Sequence, residues 1–219
     1  MMRGLAFFLS GVALLATSWV AVAAEPFVEG INYYRVASPA QLAPSSDGRV
    51  EVVEVFNYGC VHCFDFQPVL DAWSKTPEAR KARLAYLPAG FNPLFAVFAR
   101  GYLIAQELGV AEQTHHGVYD QVWKQHFTVQ TIDGLADLYA KLGVNKGDFM
   151  KESNSFAIDA KSRQALQFLQ RYGIDGTPTI VVAGKYRITG DSAGSPEKIF
   201  AVVNYLVDRE LAHSASPKT

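Results

Sequence analysis

Only two of the 219 residues are cysteines, Cys60 and Cys63, and Val61 and His62 between them complete a Cys-x-x-Cys pair. Thiols at that spacing can cycle between dithiol and disulfide, be locked as a cross-link, or supply half of a metal site. A cross-link closing about four residues removes so little chain entropy that it stabilises by only about 2 kcal/mol, against about 3 for a fifteen-residue loop. It would be a poor staple. A zinc site needs four ligands, and His115, His116 and His126 complete no defensible Cys2His2 spacing with the pair. A redox pair is the reading favoured.

The surrounding residues say how the pair is held. Val50 to Phe56 is an apolar, β-branched run that predicts a buried strand, and beyond Gly59 the spacing of Phe64, Val69, Leu70 and Trp73 is helical. The cysteines therefore fall where strand turns into helix, beside backbone N–H groups with no partner inside the helix. Those groups and the helix dipole would stabilise a thiolate on Cys60. Glu54 is anomalous, because residues 52, 53, 55 and 56 are all apolar and a strand buried on both faces has no wet side for a carboxylate. Either it lies at a solvated edge, or it is a buried acid able to accept a thiol proton. Glu51, nearer the strand's start, is expected at the surface. Pro68 must remove a backbone bond and bend the helix, and Ala82 to Leu87 should form the next strand, closing a right-handed βαβ unit.

The stretch Glu54-Val-Phe-Asn-Tyr-Gly-Cys60-Val-His62-Cys63, joined to Gly176-Thr177-Pro178-Thr179 far downstream, resembles the DsbA family of thiol oxidases. The likeness spans nearly the whole chain after its first residues. Val61 departs from the pattern, since proline is usual there. The resemblance implies an α/β, thioredoxin-like fold with a helical domain inserted in the middle. It implies Cys60 as the nucleophile, His62 stabilising its thiolate, Cys63 as the resolving thiol and Glu54 as a functional buried acid. It also implies a cis peptide before Pro178, next to the cysteines, with the backbone of Thr177 offered to an extended substrate peptide. Substrates would be unfolded exported proteins with free cysteines, and a quinone-linked membrane oxidase of the DsbB type would restore the disulfide. The chemistry requires no cofactor and no metal, and a monomer is expected.

The amino terminus fits export. Arg3, an apolar stretch from Leu5 to Val22 and the small residues Ala21-Val22-Ala23-Ala24 predict a signal peptide over 1–23 and export to an oxidising compartment, which the resemblance specifies as the periplasm. An uncleaved anchor is the alternative, since about 20 apolar residues suffice to span a bilayer. No cysteine follows the cleavage site to carry lipid. With 20 basic and 21 acidic residues, the chain has no charge excess to attract nucleic acid or an anionic membrane. The expected organisation is a first core segment over 24–90, a helical insertion over 91–170 and a second core segment over 171–219.

Punctuation along the chain supports those divisions. An edge strand is expected over Ile31 to Val36, then a loop over 38–48. From Asn92 to Gly173 the pattern is helical, with Asn92-Pro93, Thr131 and Asn145 opening helices and Gly109, Gly143 and Gly173 closing them. Ser155 to Tyr172 predicts a long amphipathic helix with Ile158, Ala165, Leu166, Leu169 and Tyr172 on its apolar face. Trp123, Phe127 and Tyr139 are expected in the core, and the adjacent His115 and His116 as solvated or capping residues. A late strand after Pro178, a tight Ala183-Gly184 connection and a strand over Lys185 to Ile188 follow. The last helix should open at Ser195-Pro196-Glu197 and end near Leu211. Two other functions compete: a periplasmic disulfide reductase or isomerase on the same site, and a redox-inert chaperone or metal carrier using the helical segment. Isomerases of that kind carry an amino-terminal dimerisation domain, for which too few residues precede the central strand.

Overall fold

The computed structural model describes residues 25–37 and 47–215. The expected signal peptide and most of the expected 38–48 loop lie outside the described residues. The strands are β1 (Tyr34–Arg35), β2 (Val50–Phe56), β3 (Ala82–Pro88), β4 (Thr179–Val182) and β5 (Tyr186–Thr189). The α-helices are α1 (Val61–Ser74), α2 (Pro93–Glu107), α3 (Ala111–Tyr119), α4 (Ile132–Lys141), α5 (Lys146–Ser153), α6 (Phe156–Tyr172), α7 (Gly190–Ala193) and α8 (Ile199–Ala215). The sheet runs in the order β1-β5-β4-β2-β3, with β2 and β3 parallel and the other pairs antiparallel.

Alternation along β2 assigns its faces. Val50 and Val52 join Ile180 and Val182 in a core shared with Phe66, Leu70 and Trp73 of α1 and with α8, where Trp73 stacks on Phe200 at 4.5 Å. Val53 and Val55 join Val181 on the opposite face, against Leu169 and Tyr172 of α6. By the period of two, residue 54 must point toward α1.

All of α2 to α6 is inserted between β3 and β4. These helices enclose their own core of Phe98, Tyr102, Ile104, Leu135, Leu138, Tyr139, Phe149 and Ile158, to which Phe56, Tyr58 and Cys63 contribute. Four of the five starts are capped by side chains: Asn92 accepts from Phe95 N at 2.9 Å, Thr131 from Gly134 N at 3.2 Å, Asn145 from Asp148 N at 3.0 Å and Ser155 from Ile158 N at 3.2 Å. Each cap satisfies a donor that the helix leaves without a partner.

Some elements differ from expectation. The edge strand shrinks to two residues, because a turn closed by Gly30 N donating to Tyr33 O at 2.8 Å occupies the residues before it, leaving Ile31 62% exposed. Leu166 turns outward from α6 and is 44% exposed, while Ile158, Ala165, Leu169 and Tyr172 face inward. Trp123 and Phe127 are only partly buried, whereas Tyr139 is fully enclosed. A π-helical stretch, Asp120–Lys124, extends α3, and a 3-10 turn, Pro196–Lys198, precedes α8, which outlasts Leu211. Among the described residues no helix is long and apolar enough to cross a membrane.

Candidate active site

The turn that presents the cysteines is built by Asn57. Its buried side chain donates to Ala89 O at 2.6 Å and to Phe95 O at 2.9 Å, and accepts from Gly59 N at 2.8 Å, so it ties the end of β2 to the entry of α2. A Cβ on Gly59 would sit 3.1 Å from the Phe98 ring, which favours glycine there. Cys60 N then donates to Asn57 O at 3.0 Å, and Cys60 occupies the N-cap of α1 with extended backbone. Its sulfur is half-buried. One helical turn on, Cys63 is fully buried, and both thiols are free.

From the far side of the insertion β4 begins at Thr179, opposite Val55, and the Thr177–Pro178 peptide before it is cis. Thr177 O comes to lie 3.4 Å from Cys60 Sγ, across 117 residues of sequence. The two thiols have opposite electrostatics. Cys60 is held down from 9.0 to about 5, chiefly by a hydrogen bond from the Cys63 thiol; burial opposes this, while Thr177 and the backbone N–H groups of Cys63 and His62 reinforce it. Cys63 is pushed well above the ordinary thiol range, first by burial and then by the neighbouring Cys60. One sulfur is a stable thiolate at neutral pH and its partner keeps its proton.

Beneath the pair Glu54 is 0% exposed, its carboxyl raised from 4.5 to about 8 mainly by burial; a hydrogen bond from Gln67 opposes this, and the charges of Asp71 and Cys60 add to it. Gln67 Nε2 donates to Glu54 Oε1 at 3.3 Å and to Cys63 O at 3.4 Å, bridging the acid to the segment that carries the buried thiol. Among the described residues no cluster of three His, Cys, Asp or Glu side chains could hold a metal.

Residues 86–197 match the family described as a DSBA-like thioredoxin domain. The thiol:disulfide interchange protein DsbA of Pseudomonas aeruginosa is 34% identical over 201 residues, covering 92% of this chain and 94% of that protein. The chain belongs to the DsbA family. The DsbA of Pseudomonas syringae pathovar tomato is likewise 34% identical, over 218 residues, covering 99% of this chain and 100% of its own. The crystal structure of Pseudomonas aeruginosa DsbA is similar with a TM-score of 0.78 at 35% identity, over 87% of this chain and 97% of that one. Like other DsbA proteins, this chain has a thioredoxin-like fold and is a thiol:disulfide oxidoreductase.

In this member of the family the fold brings Cys60, Cys63, Glu54, Thr177 and Pro178 to one end of β2. His62 is placed differently: its backbone N–H serves Cys60, while its side chain is exposed at the helix start. His115 departs from expectation. The buried face of α3 carries Thr114, His115, Val118 and Tyr119, and the packing of Val118 and Tyr119 turns His115 inward, leaving it 5% exposed. His116 stays at the surface, 3.5 Å from Asp71. Sequence reasoning also passed over Gln67. It lies one turn after Cys63 on the stripe of Phe66, Leu70 and Trp73, so a polar residue within that stripe was the available signal.

Proposed function

We propose that the protein is a periplasmic dithiol oxidase that donates its Cys60–Cys63 disulfide to unfolded exported proteins. A substrate thiolate attacks Cys60 Sγ, the bond to Cys63 breaks, and Cys63 leaves with the electron pair and takes a proton from Glu54. A second substrate thiolate then attacks the substrate sulfur of the mixed disulfide, expelling the Cys60 thiolate; the substrate loses two electrons and the enzyme gains them. For reoxidation, the Cys60 thiolate attacks one sulfur of a disulfide in a DsbB-type membrane partner, breaking that bond and releasing the partner's other sulfur as a thiolate. Cys63 passes its proton to Glu54, attacks Cys60 Sγ and expels the partner's thiolate.

The opposite electrostatics of the two sulfurs carry this reading, because a thiolate held near pKa 5 is a good leaving group and makes the reduced enzyme the favoured product. Thr177, beside Cys60, is positioned to receive an extended peptide as an added strand. His62 supplies its amide to the sulfur and its exposed ring to the rim where substrate arrives. Equilibration against glutathione buffers tests the direction of transfer: a potential well above thioredoxin's, about −270 mV, is expected. A value at or below that figure would make the protein a reductase.

A further inference from the structure

Behind the cysteines four polar side chains form an unbroken row, none more than 5% exposed. Tyr58 Oη lies 3.0 Å from His115 Nδ1, His115 Nε2 lies 3.2 Å from Gln67 Oε1, and Gln67 Nε2 lies 3.3 Å from Glu54 Oε1. The direction of the row follows from counting donors. The Gln67 nitrogen faces two acceptors, Glu54 Oε1 and Cys63 O, only when its oxygen faces His115. That oxygen then requires N–H at His115 Nε2, which leaves Nδ1 as an acceptor for the Tyr58 hydroxyl. Burial keeps the row in this state, holding His115 neutral at about 3 and Tyr58 protonated. Rings close around the imidazole, with centroids of Tyr86 at 4.7 Å, Phe56 at 5.1 Å and Tyr119 at 5.3 Å, so it cannot turn over freely.

We propose that His115 is a positioning residue, which fixes the Gln67 carboxamide with its N–H groups toward Glu54 and so sets how readily that carboxyl exchanges a proton with Cys63. The proposal rests on the role given to Glu54 above. Without His115 the carboxamide can rotate by half a turn and present its oxygen, which suits a protonated carboxyl and not a carboxylate. The other groups facing Glu54 would be unchanged: Cys60 at the N-cap of α1, Cys63 and Asp71 from α1, Tyr86 from β3, Tyr102 from α2 and Tyr119 from α3. Glu54 Oε2, which has no hydrogen-bond partner, is the atom left to carry the proton.

Reaction of the reduced protein with 5,5′-dithiobis(2-nitrobenzoate) separates the steps. Cys60 releases a first thionitrobenzoate and keeps the other as a mixed disulfide; Cys63 then loses its proton, attacks Cys60 Sγ and releases the second. His115→Phe keeps the aromatic packing and removes both nitrogens. It should leave the first release unchanged and move the pH profile of the second up by about one unit, so that the second release at pH 7 falls about tenfold and recovers at high pH. His115→Gln, which can again offer an N–H to Gln67, should bring the profile back toward that of the unmodified protein. Gln67→Met reads the same shift from the other end of the pair if His115→Phe does not fold. A second release that keeps its profile in these variants overturns the proposal, provided Glu54→Gln slows it and removes a titration near 8. A profile unaltered by Glu54→Gln would instead overturn the role of Glu54 itself.

Discussion

Folding stability should separate the two redox forms in a pH-dependent way. The perturbation is the shift of Cys60 from 9.0 in the unfolded chain to about 5 in the folded one. Because the folded value is depressed, the stabilisation is fully present above the unfolded thiol's pKa and is lost as pH falls through the folded one. Between pH 5 and pH 8 three units act, a ceiling of about 4 kcal/mol. Cys60 is only half-buried, and solvent screening reduces that to about 2 kcal/mol. In the oxidised form the thiolate is absent and loop closure contributes about 2 kcal/mol, equally at every pH. The titrating groups other than the cysteines are present in both forms, so the difference reports chiefly Cys60, with a smaller opposing part from Glu54, whose carboxyl the Cys60 charge pushes up in the reduced form alone. Melting the reduced and oxidised proteins at pH 5 and pH 8 should show the gap moving toward the reduced form by roughly 4–8 °C, at about 2–4 °C per kcal/mol for a domain of this size. A gap that stays constant, or that moves toward the oxidised form as pH rises, would refute the reasoning.

The division of labour between the cysteines predicts that Cys63→Ser accumulates exported proteins disulfide-linked to Cys60 on non-reducing gels, while Cys60→Ser captures none; equal capture by both would reverse or remove the assignment. Glu54 should cost stability wherever pH exceeds its unfolded value, because its folded value is raised from 4.5 to about 8. Glu54→Leu should accordingly stabilise both redox forms by about 2–3 kcal/mol at pH 7, with the gain shrinking toward pH 4.5, as read by denaturant titration; unchanged midpoints at pH 7 would show that the carboxyl carries no such penalty.

Much of this arrangement is legible locally. The apolar run of β2, the glycine-bounded helices and the helix openings at Asn92, Thr131 and Asn145 are short-range signals, and the structure places them as expected. The cysteine pair is legible for the same reason, since a strand followed directly by a helix sets Cys60 on unpaired N–H groups. His115 is not, because adjacent histidines on a helix of mixed polarity differ only by its rotation, and the partners of His115 lie 57 and 48 residues away at Tyr58 and Gln67. The length of β1 was hidden likewise: pairing needs a neighbour, and β5 meets it only at Tyr34 and Arg35. Leu166 satisfies the helical spacing and still faces outward, since an apolar stripe can be wider than the surface that covers it.

The 117 residues separating Cys60 from the Thr177 carbonyl have a consequence for biosynthesis. A chain emerging amino terminus first would show both thiols long before β4 exists, and a contact at that separation must await closure of nearly the whole insertion. Until then Cys60 lacks Thr177 beside it, although the strongest influence on its thiol, Cys63, lies only three residues away. An incomplete copy thus presents its cysteine pair without the Thr177 wall that completes the surroundings of Cys60.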